Sequence, residues 1–350
     1  EHIHTIEQKL SMRNLCFPYG KILSKNEEFL SADIIHYHLV HNNFISLPDL
    51  LQLSKIKKTV WTIHDSWILT GHCVQPMECD GFKTGCQHCS HLSVPFNMRE
   101  DKAEINWRIK RQFFKARPDI HYVISTNWMK SLIESSPLGE FIQPLSVIPF
   151  GIDTNNFFPI SPEKKVKKKK TYNLPDQFTI FFRQDLSPFK GLNSIKTALE
   201  SCIGKINANI ISVGTSGQLG SKIYDNFNVR EFDWINDEKE LASLYQISDL
   251  FLMPSRAESF GMMAIESLLC GVPVVVKKGT ALSEVTNAPE IGFEFQFQEE
   301  FNSLLLKLFG DKMLLEKRAK KCAIWSKQKY SERRYLDSLI NLYDDVLGES

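Results

Sequence analysis

Apolar and polar residues follow two periods along the 350-residue chain, and the chain switches between them repeatedly. Short apolar runs at 32–38, 59–63, 121–125 and 146–149 each predict a buried strand. Between them, 43–55, 100–116 and 127–135 have the spacing of helices with one buried face. In the second of these, Ile105, Ile109 and Phe113 recur every four residues. Residues 4–15 read as irregular or weakly helical. A second series has strands at 179–182, 208–213, 229–232, 250–253 and 274–276. Its helices fall at 191–200, 237–247, 262–270, 301–308 and 311–322. A last helix, 331–346, sets Tyr335, Leu336, Ile340, Tyr343 and Val346 on one side. Strands alternating with helices predict parallel sheets covered on both faces, an α/β fold.

The pattern breaks at 151–162 and again at the basic run 164–170 (KKVKKKK). That run reads as a solvated linker or loop, with contact to anionic lipid headgroups as the second reading. With the length, which exceeds one typical domain, it predicts three segments. These are a first domain at 1–160 holding a cysteine-rich loop at 73–89, a second at 161–330, and a terminal helix at 331–350.

Composition narrows the class. A hydrophobic content of 43% with 24% charged residues is ordinary for a globular protein. A formal charge of +1 gives no global field for nucleic acid. No apolar run reaches membrane-spanning length, and no signal peptide is visible. Eight cysteines in so long a chain are too sparse for a secreted disulfide scaffold, which predicts a reducing, cytoplasmic setting.

Three segments carry candidate chemistry. Residues 254–276 read PSRAESFGMMAIESLLCGVPVVV. Glu258 precedes a helical pattern and Glu266 lies inside it, with Ser259, Phe260, Gly261 and Met262 between them. Eight helical residues advance roughly 12 Å, about the reach of a sugar joined through a diphosphate to a ribose. A helix N-terminus between the two carboxylates suits a phosphate. The spacing fits equally well two ordinary glutamates flanking a core helix. Residues 180–192 read IFFRQDLSPFKGL, with Arg183 ending an apolar strand and Lys190 before Gly191. They are either surface cations on a loop or a diphosphate clamp in which arginine supplies a rigid fork and lysine a point charge. Residues 60–73 read VWTIHDSWILTGHC, placing His64 and Asp65 just after a strand. A lone histidine there is structural or catalytic. His64, Arg183 and Glu258 each follow a strand, where ligands of doubly wound sheets bind.

Together these segments resemble the retaining glycosyltransferases of the GT-B fold, family 4 (glycosyl transferases group 1). Within it they resemble a polysaccharide-biosynthesis subgroup with an HD-x-W-x-x-T-G-x-C pattern. The resemblance spans roughly 30–350 and is strongest over 57–95 and 180–276. It implies two Rossmann-like doubly wound domains facing across a cleft that closes over the donor, with the last helix crossing back to the first. It implies transfer of a sugar from a nucleotide-diphosphate donor to a glycan or lipid-linked acceptor, with retention and without a catalytic metal. Peripheral contact with the inner membrane face is the second expectation beside a cytoplasmic setting, through the lipid-contact reading of the basic run. Arg183 and Lys190 then bind the diphosphate, Glu258 the sugar hydroxyls and Glu266 the ribose, while His64 lies near donor sugar and acceptor. On the acceptor side, Asp65 is placed to orient the His64 imidazole, and Ser125 matches a family element after the next strand. His38, ending an earlier strand, reads either as an acceptor-side group or as an ordinary core or loop histidine. Gly151, Ile152 and Asp153 match an interdomain turn. Family members open with a strand and a glycine-rich loop, and nothing before Asp33 matches it. The first domain is therefore expected to be truncated at its N-terminus.

Cys73, Cys79, Cys86 and Cys89, with His72, His88 and His91 interspersed, have spacings that fit a structural zinc ion, free thiols or a disulfide pair. Two rivals stay open. One is a GT-B relative such as a phosphorylase or epimerase. The other is a catalytically inactive, zinc-knotted glycan-binding module, which would bind without releasing nucleotide.

Overall fold

The computed structural model describes residues 2–12, 14–42, 44–92, 98–116 and 118–348. The first residue of the predicted helix 43–55 and residues 93–97, which follow the cysteine-rich loop, lie outside the described residues. The chain divides into two compact units, Glu1–Pro149 with Leu336–Ser350, and Phe150–Tyr335.

The first unit is built on four parallel strands: β1 (Ile34–His38), β2 (Lys58–Thr62), β3 (Ile120–Ile124) and β4 (Leu145–Val147), in spatial order β1-β2-β3-β4. Both faces of β2 are covered, so Thr59 to Thr62 are all buried although only Val60 and Trp61 are apolar. Helix Leu47–Leu53 starts later than its periodicity alone suggests. Ser46 caps it by accepting the Asp49 N–H at 3.1 Å, and Pro48 occupies the first turn. Helix Ala103–Lys115 buries Trp107, Lys110, Phe113 and Phe114, whereas Ile105 is 45% exposed. The buried stripe is therefore rotated from the one the Ile105–Ile109–Phe113 spacing predicts, because the larger aromatic rings take the core face. Full burial of a ring such as Phe114 is worth about 1.5–3 kcal/mol.

The second unit holds six parallel strands: β5 (Phe178–Gln184), β6 (Ala208–Gly214), β7 (Asn228–Phe232), β8 (Leu250–Met253), β9 (Val274–Lys277) and β10 (Phe293–Phe295). Their order is β10-β9-β8-β5-β6-β7, so the winding reverses between β5 and β8. Alternate residues of one strand feed opposite cores. Phe181, Phe251 and Val274 pack with Tyr245, Ile265 and Leu268 on one face. Ile180, Phe182, Leu250 and Val275 pack with Ile195, Leu199 and Leu305 on the other.

Where β5 and β8 begin, Asp249 and Thr179 bond reciprocally. The Asp249 N–H donates to the Thr179 carbonyl and the Thr179 N–H to Asp249 Oδ2, each at 2.8 Å.

The basic run is not a solvated loop. Residues Pro162–Thr171 form a helix, capped by Ser161 and started by Pro162. Lys165 Nζ bonds Asp249 Oδ1 at 2.6 Å, Lys168 Nζ bonds Gln246 Oε1 at 2.6 Å, and buried Lys169 donates to the Gln177 carbonyl at 2.7 Å. Lys164, Lys167 and Lys170 face solvent. Long apolar stems let one helix of lysines both dock and stay hydrated. The predicted helix 311–322 continues to Tyr330, and Ser331 separates it from helix Glu332–Leu347. β10 and helix Ala281–Val285 escape the periodicity because each is too short to show a period. Among the described residues, no helix is long and apolar enough to cross a membrane.

Candidate functional site

In the second unit, the loops after β5 and β8 emerge side by side, because these strands pair in register from Ile180↔Leu250 to Phe182↔Leu252. This is the topological switch point of the sheet, where a crevice opens beyond the strand ends. Arg183 is the penultimate residue of β5. Its Nη2 bonds Asp185 Oδ2 at 2.7 Å, and its guanidinium carbon lies 4.7 Å from the centre of the exposed Trp234 ring. The 185–190 loop folds on itself: Asp185 Oδ1 accepts the Ser187 N–H at 2.8 Å and the Ser187 carbonyl accepts the Lys190 N–H at 3.1 Å. The Arg256 N–H then stitches the two loops together through the Phe189 carbonyl at 2.8 Å.

This fold presents Lys190 to Glu258, and the two form a direct ion pair. Gly191 makes the approach feasible. It sits at φ +78°, and a Cβ there would lie 2.6 Å from the Pro254 carbonyl oxygen. Beyond Glu258, Ser259 is half-buried and Phe260 is buried against the edges of Phe150 and Tyr330. Gly261, at φ +95°, turns the chain into helix Met262–Leu269, whose first residue, Met262, is 41% exposed. Glu266 lies on this helix and accepts the Tyr245 hydroxyl at 3.0 Å through Oε2. Burial pushes its carboxyl up to about 7, against the pull of the Tyr245 hydrogen bond. Tyr245 itself is driven well above its ordinary value, chiefly by burial and then by Glu266. Lys190 and Glu258 thus meet directly, Arg183 shares their loop system, and Glu266 stands one helix further on.

In the first unit, histidines gather where β1 and β2 end. His38 Nδ1 and His64 Nε2 are 2.8 Å apart, so one imidazole donates and the other accepts. His36 bonds the Tyr343 hydroxyl and Thr62 Oγ1, each at 2.7 Å. Burial, reinforced by the neighbouring histidines, lowers both His36 and His64 to about 4; burial also lowers His38. All three are therefore neutral near pH 7. Asp65 uses Oδ1 to cap the short 3-10 helix Ser66–Leu69 through the Trp67 N–H, and Oδ2 to hold His41 at 3.2 Å. Ser125 is buried after β3. The adjacent Thr126 caps helix Asn127–Glu134.

All eight cysteines are free thiols. Cys86 Sγ accepts the Gly71 N–H at 3.1 Å, Cys79 Sγ accepts the Gly81 N–H at 3.4 Å, and Cys89 Sγ lies 3.2 Å from His72 Nε2. Among the described residues, no three histidine, cysteine or acidic side chains converge as a set that could hold one ion. Beneath the loop, Lys110 is buried. Its Nζ bonds the Trp67 and Thr70 carbonyls and sits 3.7 Å from the centre of the Trp67 ring. Burial lowers it to about 7.

Sequence reasoning did not single out Asp185, Trp234, Tyr245 or Lys110. The first two lie in loops without period, and the last two sit in helices where a polar group reads as solvent-facing. Asp185 alone left a usable signal, a carboxylate two residues after the strand-ending arginine.

Comparison with known proteins places these features. The chain is 26% identical over 275 residues to WcaC of Escherichia coli (strain K12), named as a colanic acid biosynthesis glycosyl transferase; the match covers 72% of this chain and 61% of WcaC. It is 28% identical over 145 residues to a GDP-mannose-dependent alpha-(1-6)-phosphatidylinositol dimannoside mannosyltransferase of Mycobacterium tuberculosis (strain ATCC 25177 / H37Ra), covering 40% of this chain and 37% of that protein. The chain thus spans about three fifths or less of the length of these curated relatives. Among solved structures, sucrose-phosphate synthase from Thermosynechococcus elongatus superposes with a TM-score of 0.69 at 17% identity, covering 95% of this chain and 81% of that one. Anabaena Alr3699/HepE, in complex with UDP and glucose, superposes with a TM-score of 0.64 at 18% identity, covering 92% and 79%. Residues 163–333, nearly the whole of the second unit, match the family of glycosyl transferases group 1, and the two parallel α/β sheets have the GT-B fold.

Proposed function

We propose that the chain is a retaining glycosyltransferase of family 4. In this reading it moves a sugar from a nucleotide-diphosphate donor to a hydroxyl of a glycan or lipid-linked acceptor during polysaccharide assembly. The observation that carries the reading is the Lys190–Glu258 pair at the β5/β8 switch point, with Arg183 at the end of β5 and Glu266 on the following helix. The names of the relatives support a glycan or glycolipid product, and HepE, in complex with UDP and glucose, supports a nucleotide-sugar donor.

When the bond between the anomeric carbon and the diphosphate breaks, negative charge grows on the departing phosphate oxygen. Arg183, Lys190 and the N-terminal N–H groups of helix Met262–Leu269 are suited to stabilise it, which is work a metal ion does elsewhere. Glu258 accepts hydroxyls of the sugar, and Glu266 accepts those of the ribose. The acceptor oxygen attacks from the face the diphosphate leaves, and its proton passes to the departing phosphate oxygen. No protein nucleophile is needed. His64, neutral near pH 7 and oriented by His38, is suited to hydrogen-bond a sugar or acceptor hydroxyl without adding charge.

For the cysteine loop we propose a structural zinc ion on Cys73, Cys79, Cys86 and Cys89. The Gly71 and Gly81 N–H groups that donate to the Cys86 and Cys79 sulfurs support the reading. An ion there would have to draw the four sulfurs together and overcome the burial that raises the Cys73, Cys86 and Cys89 thiols.

A thermal-shift screen against UDP-, GDP-, ADP- and CDP-sugars tests the function. Ligand at a hundredfold excess over its dissociation constant stabilises by about 2.7 kcal/mol, a readily seen rise in melting temperature. A folded chain that no donor stabilises refutes the reading.

A further inference from the structure

Each cation of the candidate donor site already holds a carboxylate of its own. Arg183 is bonded to Asp185 and Lys190 to Glu258. The two pairs differ in construction. Glu258 belongs to the β8 loop and meets Lys190 across the crevice. Asp185 opens the loop that joins Arg183, at the end of β5, to Lys190, and is pinned there, because its second oxygen accepts the Ser187 N–H at 2.8 Å. It therefore stays beside the guanidinium whatever binds in front. Arg183 is held from another side by the Trp234 ring, a contact that suits a weakly hydrated, planar cation.

Resting on the donor-site reading above, we infer that Asp185 is a fixed counter-anion that sets how tightly the site holds a diphosphate. With two cations and two carboxylates, the four groups sum to no net charge. An arriving diphosphate gains the outer edge of the Arg183 fork, which has five donors and spends only some of them on Asp185. It meets at the same time the repulsion of a carboxylate that cannot swing away. The ion pair keeps the clamp preorganised, and its anion weakens the grip on diphosphate. A transferase needs that restraint, since it must release a nucleoside diphosphate after every transfer.

The test is Asp185→Asn. Asparagine retains the oxygen that accepts from Ser187 and the shape of the loop, and removes only the charge. Titration calorimetry with inorganic pyrophosphate, UDP and GDP is expected to show binding tightened on the order of three- to tenfold, with the gain shrinking as salt rises. Unchanged or weaker binding in a variant with wild-type circular dichroism overturns the inference and makes Asp185 a structural turn residue. Lys190→Ala and Arg183→Gln run alongside. If both leave affinity for all three ligands unchanged, the donor site itself is misplaced and both readings fall. If they weaken binding while Asp185→Asn does not tighten it, only the counter-anion role falls.

Discussion

Replacing Glu266 by glutamine keeps the side chain's shape and its capacity to accept the Tyr245 hydroxyl, and removes only the ability to ionise. Burial raises this carboxyl from 4.5 to about 7. Folding therefore favours its protonated form. The stability that goes with this is fully present below about pH 4.5 and is lost as the pH climbs through 7. The shift of 2.5 units at 1.36 kcal/mol per unit gives about 3 kcal/mol as a ceiling. Glu266 is only half-buried, so partial solvation of the charge reduces this, and a measured effect of about 1–3 kcal/mol is expected. Urea unfolding of wild type and Glu266→Gln across roughly pH 5 to 8 reads it directly, because the other titrating groups are common to both chains. The variant should gain on the wild type as pH rises and level off above about 7.5. Nucleotide binding should move the other way: the ionised carboxylate accepts ribose hydroxyls, so wild-type affinity rises through pH 7 and the glutamine variant loses most at pH 8. A stability difference that stays flat with pH, or that favours the wild type as pH rises, refutes the claim that burial controls this group.

Gly191→Ala places a Cβ against the Pro254 carbonyl in a left-handed conformation, and should destabilise the second unit by about 2 kcal/mol or more. Chemical unfolding checks this, and a change under about 0.5 kcal/mol would mean the two loops are free to separate. Metal analysis of protein purified under reducing conditions should find one zinc per chain, lost in Cys86→Ser; a folded, metal-free wild type refutes the zinc reading.

Much of the α/β layout was legible because a strand buried on both faces carries a short apolar run: Ile180–Phe182 in β5, Ile210 and Ile211 in β6 and Val274–Val276 in β9. Helices were less legible where packing overrode simple spacing. In Ala103–Lys115 the rings of Trp107 and Phe114 took the core face from Ile105. In Pro162–Thr171 a run of lysines looked like linker, since charge alone does not show that acceptors such as Gln246, at the end of helix Glu238–Gln246, and Asp249, just before β8, await it. Lys190 and Glu258 were visible as separate motifs 68 residues apart, and their direct pairing follows from the β5/β8 register. Asp185 and Trp234 acquire meaning only through what they touch. A sequence without period offers no means of telling which loop residues meet.

Asp249 gives the second unit an anchor remote from any chemistry. Its backbone and carboxylate clasp Thr179 at the entry of one strand while also gripping Lys165, so a single aspartate indexes β5 against β8. Those are the strands whose exits carry Arg183 and lead to Glu258. A slip at the near end would be transmitted along two stiff rails to the far one, so the spacing of cation and carboxylate is gauged several residues away by a group that no ligand touches.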